Sequence, residues 1–232
     1  MIFYLQLFLV FLEFVLFKKK EFVMVLIANV NKNWGIGKNG DLLCTFPEDM
    51  RRFRALTVGC TLIYGRKTLD SFPDGKPLLG RKNIVITNDL SHISSETEHS
   101  VNGYGVVRGL GPVNGSYLMA IKDHSNDGYE KLSNTSLFVT KSIKDAMFLA
   151  SLIELNSDNI IVCGGESIYR QMVDYCDHAY ITMNNCEEEA DTFFPNLDEK
   201  DNWEKVFETS HRESKSGLSY RLIDYQNNSV KE

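Results

Sequence analysis

Three carboxylates stand within ten residues in DLLCTFPEDM (41–50): Asp41, Glu48 and the adjacent Asp49. A carboxylate among apolar neighbours can act as a general acid or base, because burial raises its proton affinity toward neutral pH. The same residues could instead only begin a helix. Thr45 and Glu48 have the S/T-x-x-E spacing of a capping box, Pro47 suits a first helical turn, and Glu48 can pair with Arg52 four residues on. Asp49 lies about 100° further round the helix, on the face of Phe53 and Leu56. There it is either a half-exposed first-turn residue favoured by the helix dipole or a buried acid with a chemical purpose. The spacing leaves both readings open.

Two glycine turns suggest a ligand of another kind. Gly65 ends an apolar run, and Arg66, Lys67 and Thr68 open the next segment. Backbone N–H groups at a helix start, with two cations and a hydroxyl, suit a phosphate, although an ordinary basic surface turn has the same composition. Gly164 and Gly165 lie between a strand and a helix, where a ligand can approach the backbone closely. Arg81 precedes an apolar run and could either hold a carboxylate or simply be solvated. NGYGVVRGLGPVNG (102–115) has the glycines of a phosphate loop without its Gly-Lys-Ser/Thr ending. The cysteines at 44, 60, 163, 176 and 186 show no CxxC spacing, so neither a metal site nor a disulfide framework is expected. A reduced, cytoplasmic compartment follows as the default.

Strands must carry these turns. MVLIANV (24–30), CTLIYG (60–65), NIVIT (83–87), SLFVT (136–140), NIIVC (159–163) and HAYITM (178–183) read as strands. Helices are expected over 46–57, 66–72, from a Ser142/Asp145 start to about 155, and over 166–176. The alternation means α/β with a mainly parallel sheet. WEKVFE (203–208) and LSYRLIDY (218–225) add antiparallel edges. Residues 89–135 read as an insertion with a hairpin of its own, since an unstructured loop this long is uncommon inside a compact domain.

The 232 residues and 43% hydrophobic content suit one large domain with a sizeable core, and the net charge of −6 argues against a nucleic-acid partner. Residues 1–17, MIFYLQLFLVFLEFVLF, precede Lys18, Lys19 and Lys20. The apolar run is at the lower limit for a membrane span, and Gln6 and Glu13 weaken that case. It lacks the basic start and small-residue cleavage site of a signal peptide. The working start could be Met24, or the run could be an anchor with the lysines keeping the domain cytoplasmic, or a packed extra helix. The division is therefore an extension over 1–23 and a domain over 24–232.

Seven segments in this order resemble dihydrofolate reductases: LIANVNKNWGIGKNGDL (26–42), FPEDMRRFRALTVG (46–59), LIYGRKTLDSF (62–72), PLLGRKNIVIT (77–87), IIVCGGESIYRQ (160–171), YIT (180–182) and DTFFP (191–195). The resemblance implies a single α/β domain with a central, mostly parallel eight-stranded sheet flanked by helices. It implies a monomer that reduces 7,8-dihydrofolate with NADPH, for thymidylate, purine and glycine synthesis. Asp49 matches the family's active-site acid, with Thr182 hydrogen-bonded to it. Ile27 and Cys163 would present carbonyls to the pterin, Phe53 and Leu78 would line the folate rings, and Arg81 would hold the glutamate α-carboxylate. Ala28, Ile36 and Tyr169 would border the nicotinamide, and Gly164 and Gly165 would pass beneath the pyrophosphate. Gly65, Arg66, Lys67 and Thr68 would take the phosphates, with Thr87 completing the cofactor set. Gly37 begins a segment to Leu43 that would be a lid. The resemblance also admits a degenerate fold that binds folate or nucleotide weakly, and a riboflavin-pathway pyrimidine reductase.

The chain departs from this pattern beside the acid. Leu43 and Cys44 replace the family's Pro-Trp, whose tryptophan packs on the ligand and orders a water near the acid. Asn29 stands where a small alanine is usual, and Cys163 where an aliphatic residue is usual. A looser pocket is expected at Cys44.

Overall fold

The computed structural model describes residues 23–88, 105–108, 119–122, 136–154 and 160–231. The extension up to residue 22 and most of the 89–135 segment lie outside the described residues. Strands and helices are numbered below in chain order. β1 (Met24–Val30) runs through the middle of the sheet, and every one of its residues except Asn29 is buried. A nearly continuous apolar run is what a strand covered on both faces requires. β1 is parallel to β9 (Ile160–Val162) on one side and to β10 (His178–Asn184) on the other. Beyond β9 follow β4 (Thr61–Gly65), β5 (Lys82–Ile86) and β8 (Ser136–Thr140), all parallel. Beyond β10 come β14 (Ser219–Asn227), antiparallel to β10, and β12 (Trp203–Glu208), antiparallel to β14.

The sheet order is thus β12-β14-β10-β1-β9-β4-β5-β8. The two-residue β13 (Arg212–Glu213) also pairs with β14 and makes nine strands among the described residues where eight are expected. β2 (Gly35–Lys38), β3 (Asp41–Leu42) and β11 (Thr192–Phe193) form a separate three-stranded sheet. β6 (Gly105–Arg108) and β7 (Met119–Lys122) pair antiparallel within the expected insertion.

Among the described residues four helices cover the sheet: α1 (Pro47–Thr57), α2 (Arg66–Asp70), α3 (Ile143–Ile153) and α4 (Glu166–Met172). Successive strand residues point to opposite faces, so each strand feeds two cores. Leu26, Ala28, Ile63, Ile84 and Val162 pack with Ala146 and Ala150 of α3 and Ile168 and Met172 of α4. Ile27, Leu62, Tyr64, Val85 and Ile161 form the other core, which Phe53 and Leu56 of α1 and Leu69 of α2 cover. The expected 166–176 helix ends earlier, its last turn tightening to a 3₁₀ helix over Val173–Tyr175. No helix among the described residues is long and apolar enough to cross a membrane.

Helix starts separate the two capping expectations. Ser142 caps α3, its hydroxyl accepting from the Asp145 N–H at 3.1 Å. The Thr45/Glu48 capping box does not form. The residue preceding α1 is Phe46, which makes no side-chain cap. Phe46 is instead 2% exposed and packs on the Tyr220 ring, 5.0 Å between centroids, so burial of an aromatic sets where α1 begins. Pro47 follows without needing an N–H partner. Glu48 pairs with Arg51 at 3.2 Å rather than with Arg52, because Arg52 crosses to Asp224 on β14 at 3.4 Å.

Candidate active site

The C-terminal ends of β4, β5 and β9 and the middle of β1 open onto one continuous cleft of about 2450 Å³. A pocket for one small ligand occupies roughly 300–1,000 Å³, so this cleft has room for two ligands end to end. Ligands bind open α/β sheets at this edge because strand ends leave loops and backbone groups free there.

At one end α1 lays Asp49, Met50, Phe53 and Arg54 along the cleft, and Glu48 does not line it. Of the two adjacent carboxylates, Asp49 is thus the one that lines the cleft. Desolvation raises the Asp49 carboxyl above the ordinary aspartate value, while a hydrogen bond from Thr182, the charge of Arg52 and a hydrogen bond from Asn29 pull it down. Thr182 is 1% exposed on β10 and reaches Asp49 from behind rather than lining the cleft. The Glu48→Gln variant should change stability by about 1 kcal/mol or less and leave the cleft intact, since an i,i+3 pair whose arginine stays in water contributes little. A urea titration checks this.

Ile27, Ala28 and Asn29 bring β1 to the cleft floor. The Tyr169 hydroxyl donates to the Ile27 carbonyl at 2.6 Å, so that carbonyl keeps one lone pair for a further donor. Burial pushes the Cys163 thiol up to about 12, which makes it an inert neutral wall of the cleft.

Further along, Phe53 and Leu78 face the cleft as partly buried apolar groups, and Arg81 lies beyond them. Arg81 is only 8% exposed. Its Nε and Nη2 donate to Thr57 Oγ1 at 3.2 and 2.9 Å, and Nη1 donates to the Leu79 carbonyl at 2.6 Å. One N–H on each Nη is left over, and no carboxylate among the described residues pairs with the guanidinium. A buried cation without a counter-ion is strained electrostatically and favours an anionic ligand. Desolvation and the nearby Arg54 charge lower its proton affinity.

The segment carrying Leu78 and Arg81 is held by Asn83, which is fully buried. Its Nδ2 donates to the carbonyls of Leu78, Arg81 and Ser136 at 3.1, 3.0 and 3.1 Å. Its Oδ1 accepts from Leu78 N at 3.2 Å and from the Tyr64 hydroxyl at 2.9 Å. Asn83→Leu should therefore destabilise by about 3 kcal/mol, since several buried polar groups lose their partner at once. Urea unfolding of the variant measures the loss.

At the other end Gly164 has φ +120°, a conformation closed to side chains, and the Gly164–Gly165 peptide is cis. A Cβ on Gly164 would meet Thr68 Oγ1 at 3.3 Å and the Tyr169 ring at 3.5 Å. The turn thus presents bare backbone to the cleft, opposite Gly65, whose N–H bonds Gly164 O at 2.8 Å. Arg66, Lys67, Thr68 and Thr87 border the same region, with Ile36 and Gly37 across it. Arg66 also pairs with Asp70 one turn on, so its charge is partly engaged. Gly37 answers a packing demand: a Cβ there would lie 2.6 Å from Thr192 Oγ1.

Except for Thr182, every residue expected at the site lines this one cleft. Sequence reading passed over Met50, Arg54, Lys141 and Ser142, which line it as well. Ser142 carried a signal as a helix start at the end of a parallel strand. Asn83 carried none, because its partners are brought together only by the folded loop.

A family model described as dihydrofolate reductase matches residues 23–105 and 125–227 of the chain. The dihydrofolate reductase of Bacillus subtilis (strain 168) is 28% identical over 201 residues, which cover 86% of this chain and 92% of that protein. That of Neisseria meningitidis (strain Z2491) is 27% identical over 202 residues, 87% of this chain and 96% of that one. A Staphylococcus aureus dihydrofolate reductase is 28% identical over 160 residues, 69% of this chain and 70% of its own.

Proposed function

Because the chain belongs to the dihydrofolate reductase family, we propose that it reduces 7,8-dihydrofolate to 5,6,7,8-tetrahydrofolate with NADPH, for one-carbon transfer in thymidylate, purine and glycine synthesis. The observation that carries this reading is the pairing, in one cleft, of an inward carboxylate with a buried guanidinium that has no carboxylate partner among the described residues. The substrate is polar in a matching way. Its pterin offers a row of N–H donors, and its glutamate offers carboxylates.

In this reading Asp49 accepts hydrogen bonds from the pterin amino group and N3, with Thr182 steadying it. The Ile27 and Cys163 carbonyls face the pterin edge, and Phe53 and Leu78 sandwich the ring system against solvent. Arg81 takes the glutamate α-carboxylate with its two remaining N–H groups, a bidentate fit. Asp49, desolvated, favours a proton near the pterin and so promotes protonation at N5 through solvent.

The residues at the other end fit a dinucleotide. The bare Gly164–Gly165 backbone admits a pyrophosphate at close range, and Gly65, Arg66, Lys67 and Thr68 supply donors and positive charge for phosphates. Thr87 borders the same ligand, and Ala28, Ile36 and Tyr169 would flank the nicotinamide. When bound, the cofactor supplies the hydride that C6 of the pterin accepts. The protein's own contribution is to hold the two rings close, oriented and dry, with the Gly37–Leu43 segment closing over them.

The test is the fall in NADPH absorbance with the full chain and dihydrofolate. A dihydrofolate-dependent rate supports the proposal. Folded protein without such a rate overturns it, and a rate with a ribosylaminopyrimidine instead would move the chain to the riboflavin-pathway reaction.

A further inference from the structure

Asn29, the one residue of β1 that is not buried, turns its side chain to the acid. Its Nδ2 donates to Asp49 Oδ2 and to the Cys44 carbonyl, each at 3.1 Å. Its Oδ1 accepts from Asn184 Nδ2 at 2.7 Å, and Asn184 Oδ1 accepts from the Cys186 N–H at 2.8 Å. The direction of this relay is set by a backbone group. The Cys186 N–H can only donate, so the Asn184 atom facing it is oxygen. The other end of that amide is then NH₂, which must meet oxygen on Asn29. Asn29 is left with its NH₂ toward Asp49, and both of those hydrogens are used.

We propose that Asn29, oriented by Asn184, is a positioning residue for Asp49: it fixes the carboxylate through Oδ2 and ties it to the chain at Cys44, where the lid segment meets α1. The proposal rests on the reading of Asp49 as the working acid. It joins two departures from the family pattern, since the amide of Asn29 bonds the residue that stands in place of the tryptophan. Motion of the lid at Cys44 would therefore be felt at the acid directly through one shared NH₂ group.

The other groups facing Asp49 define the background. Arg52 of α1 attracts a negative charge there and is itself paired with Asp224 of β14. Thr182 of β10 donates to the carboxylate, and Tyr169 of α4 lies close enough for its hydroxyl to feel the charge. Tyr180 of β10 lies under Arg52, 5.7 Å from the guanidinium carbon to the ring centroid. The neighbouring Cys44 thiol, held up at about 12 by burial and by Cys186, stays neutral. Of these, Asn29 is a donor whose direction cannot reverse when Asp49 gains a proton, so it favours the ionised carboxylate.

The experiment is a carbon-13 NMR titration of the Asp49 carboxyl in the ligand-free full chain, its resonance identified with Asp49→Asn. Asn29→Ala should move the midpoint upward by about half a unit or more. Asn184→Ala should move it the same way by less, because the Asn29 amide can then rotate. A merely structural role would lower the melting temperature of both variants and leave the midpoint in place, which overturns the proposal. An upward shift in Asn184→Ala alone carries the test if Asn29→Ala does not fold, and an unchanged midpoint there overturns it equally. The readout uses no substrate, so it stands apart from the activity test. A shifted midpoint with no dihydrofolate reduction sinks the reductase reading alone, and an unchanged midpoint with normal reduction sinks only the relay.

Discussion

Asp49→Asn should lower kcat/KM for dihydrofolate by about 10²- to 10⁴-fold at neutral pH, the range typical for loss of a positioned acid or base. The same variant should be more stable than the parent at that pH. Burial holds the Asp49 carboxyl above the ordinary value, with Thr182, Arg52 and Asn29 only partly offsetting it. The folded protein therefore binds this proton more tightly than the unfolded chain. The associated stability is fully present below the ordinary aspartate value, is lost as pH rises through the raised folded value, and stays lost above it. A neutral asparagine does not titrate. Its advantage in melting temperature should thus be small in acid, grow across that window and level off at neutral pH. Melts at a series of pH values, beside rates, separate the two effects. A variant that keeps its turnover would show that the acid lies elsewhere, and an advantage that shrinks with rising pH would show that desolvation does not dominate.

Arg81→Ala should raise KM for dihydrofolate and lower kcat/KM by roughly 30- to 5,000-fold, since removing one partner of a buried, hydrogen-bonded charge pair costs about 2–5 kcal/mol. Arg81→Lys should recover little of it. A lysine is a point charge and cannot reproduce a fork whose Nε side is bonded to Thr57 while two N–H groups remain for a carboxylate. A pteridine that lacks the glutamate tail provides the control. The variant and the parent should reduce it equally well, because Arg81 would touch nothing in it. A loss of equal size with both substrates would show that Arg81 serves the fold, through Thr57 and Leu79, rather than the ligand.

Much of the site could be read along the chain, for a local reason. Asp49 shares a helical face with Phe53 and Leu56, and that periodicity makes it a candidate while leaving a half-exposed position open. Gly65 and the Gly164–Gly165 pair sit where strands end, and in a parallel sheet those ends fall on one edge. Where the reading failed, a longer contact overruled a local one. The Thr45–Glu48 spacing is a valid capping signal, yet burial of Phe46 against Tyr220 moved the helix start past it. Arg52 was within reach of Glu48, yet Asp224, 172 residues on, took it instead.

The sequence alone determined the α/β class, the parallel order of turns and helices, and which of two neighbouring carboxylates shares the apolar face of its helix. These follow from side-chain periodicity and from glycine at strand ends, which are properties of a few adjacent residues. Only the tertiary structure decided what surrounds that carboxylate. Thr182 and Asn29 meet it, and Asn184 meets Asn29, because β1 and β10 lie side by side in register, with Asn29 opposite Thr182. Asn29 and Asn184 are 155 residues apart, and no local pattern can announce a hydrogen bond between them. The burial of Arg81 is likewise a product of folding, for Thr57 and the loop pinned by Asn83 reach it only once β4 and β5 are paired.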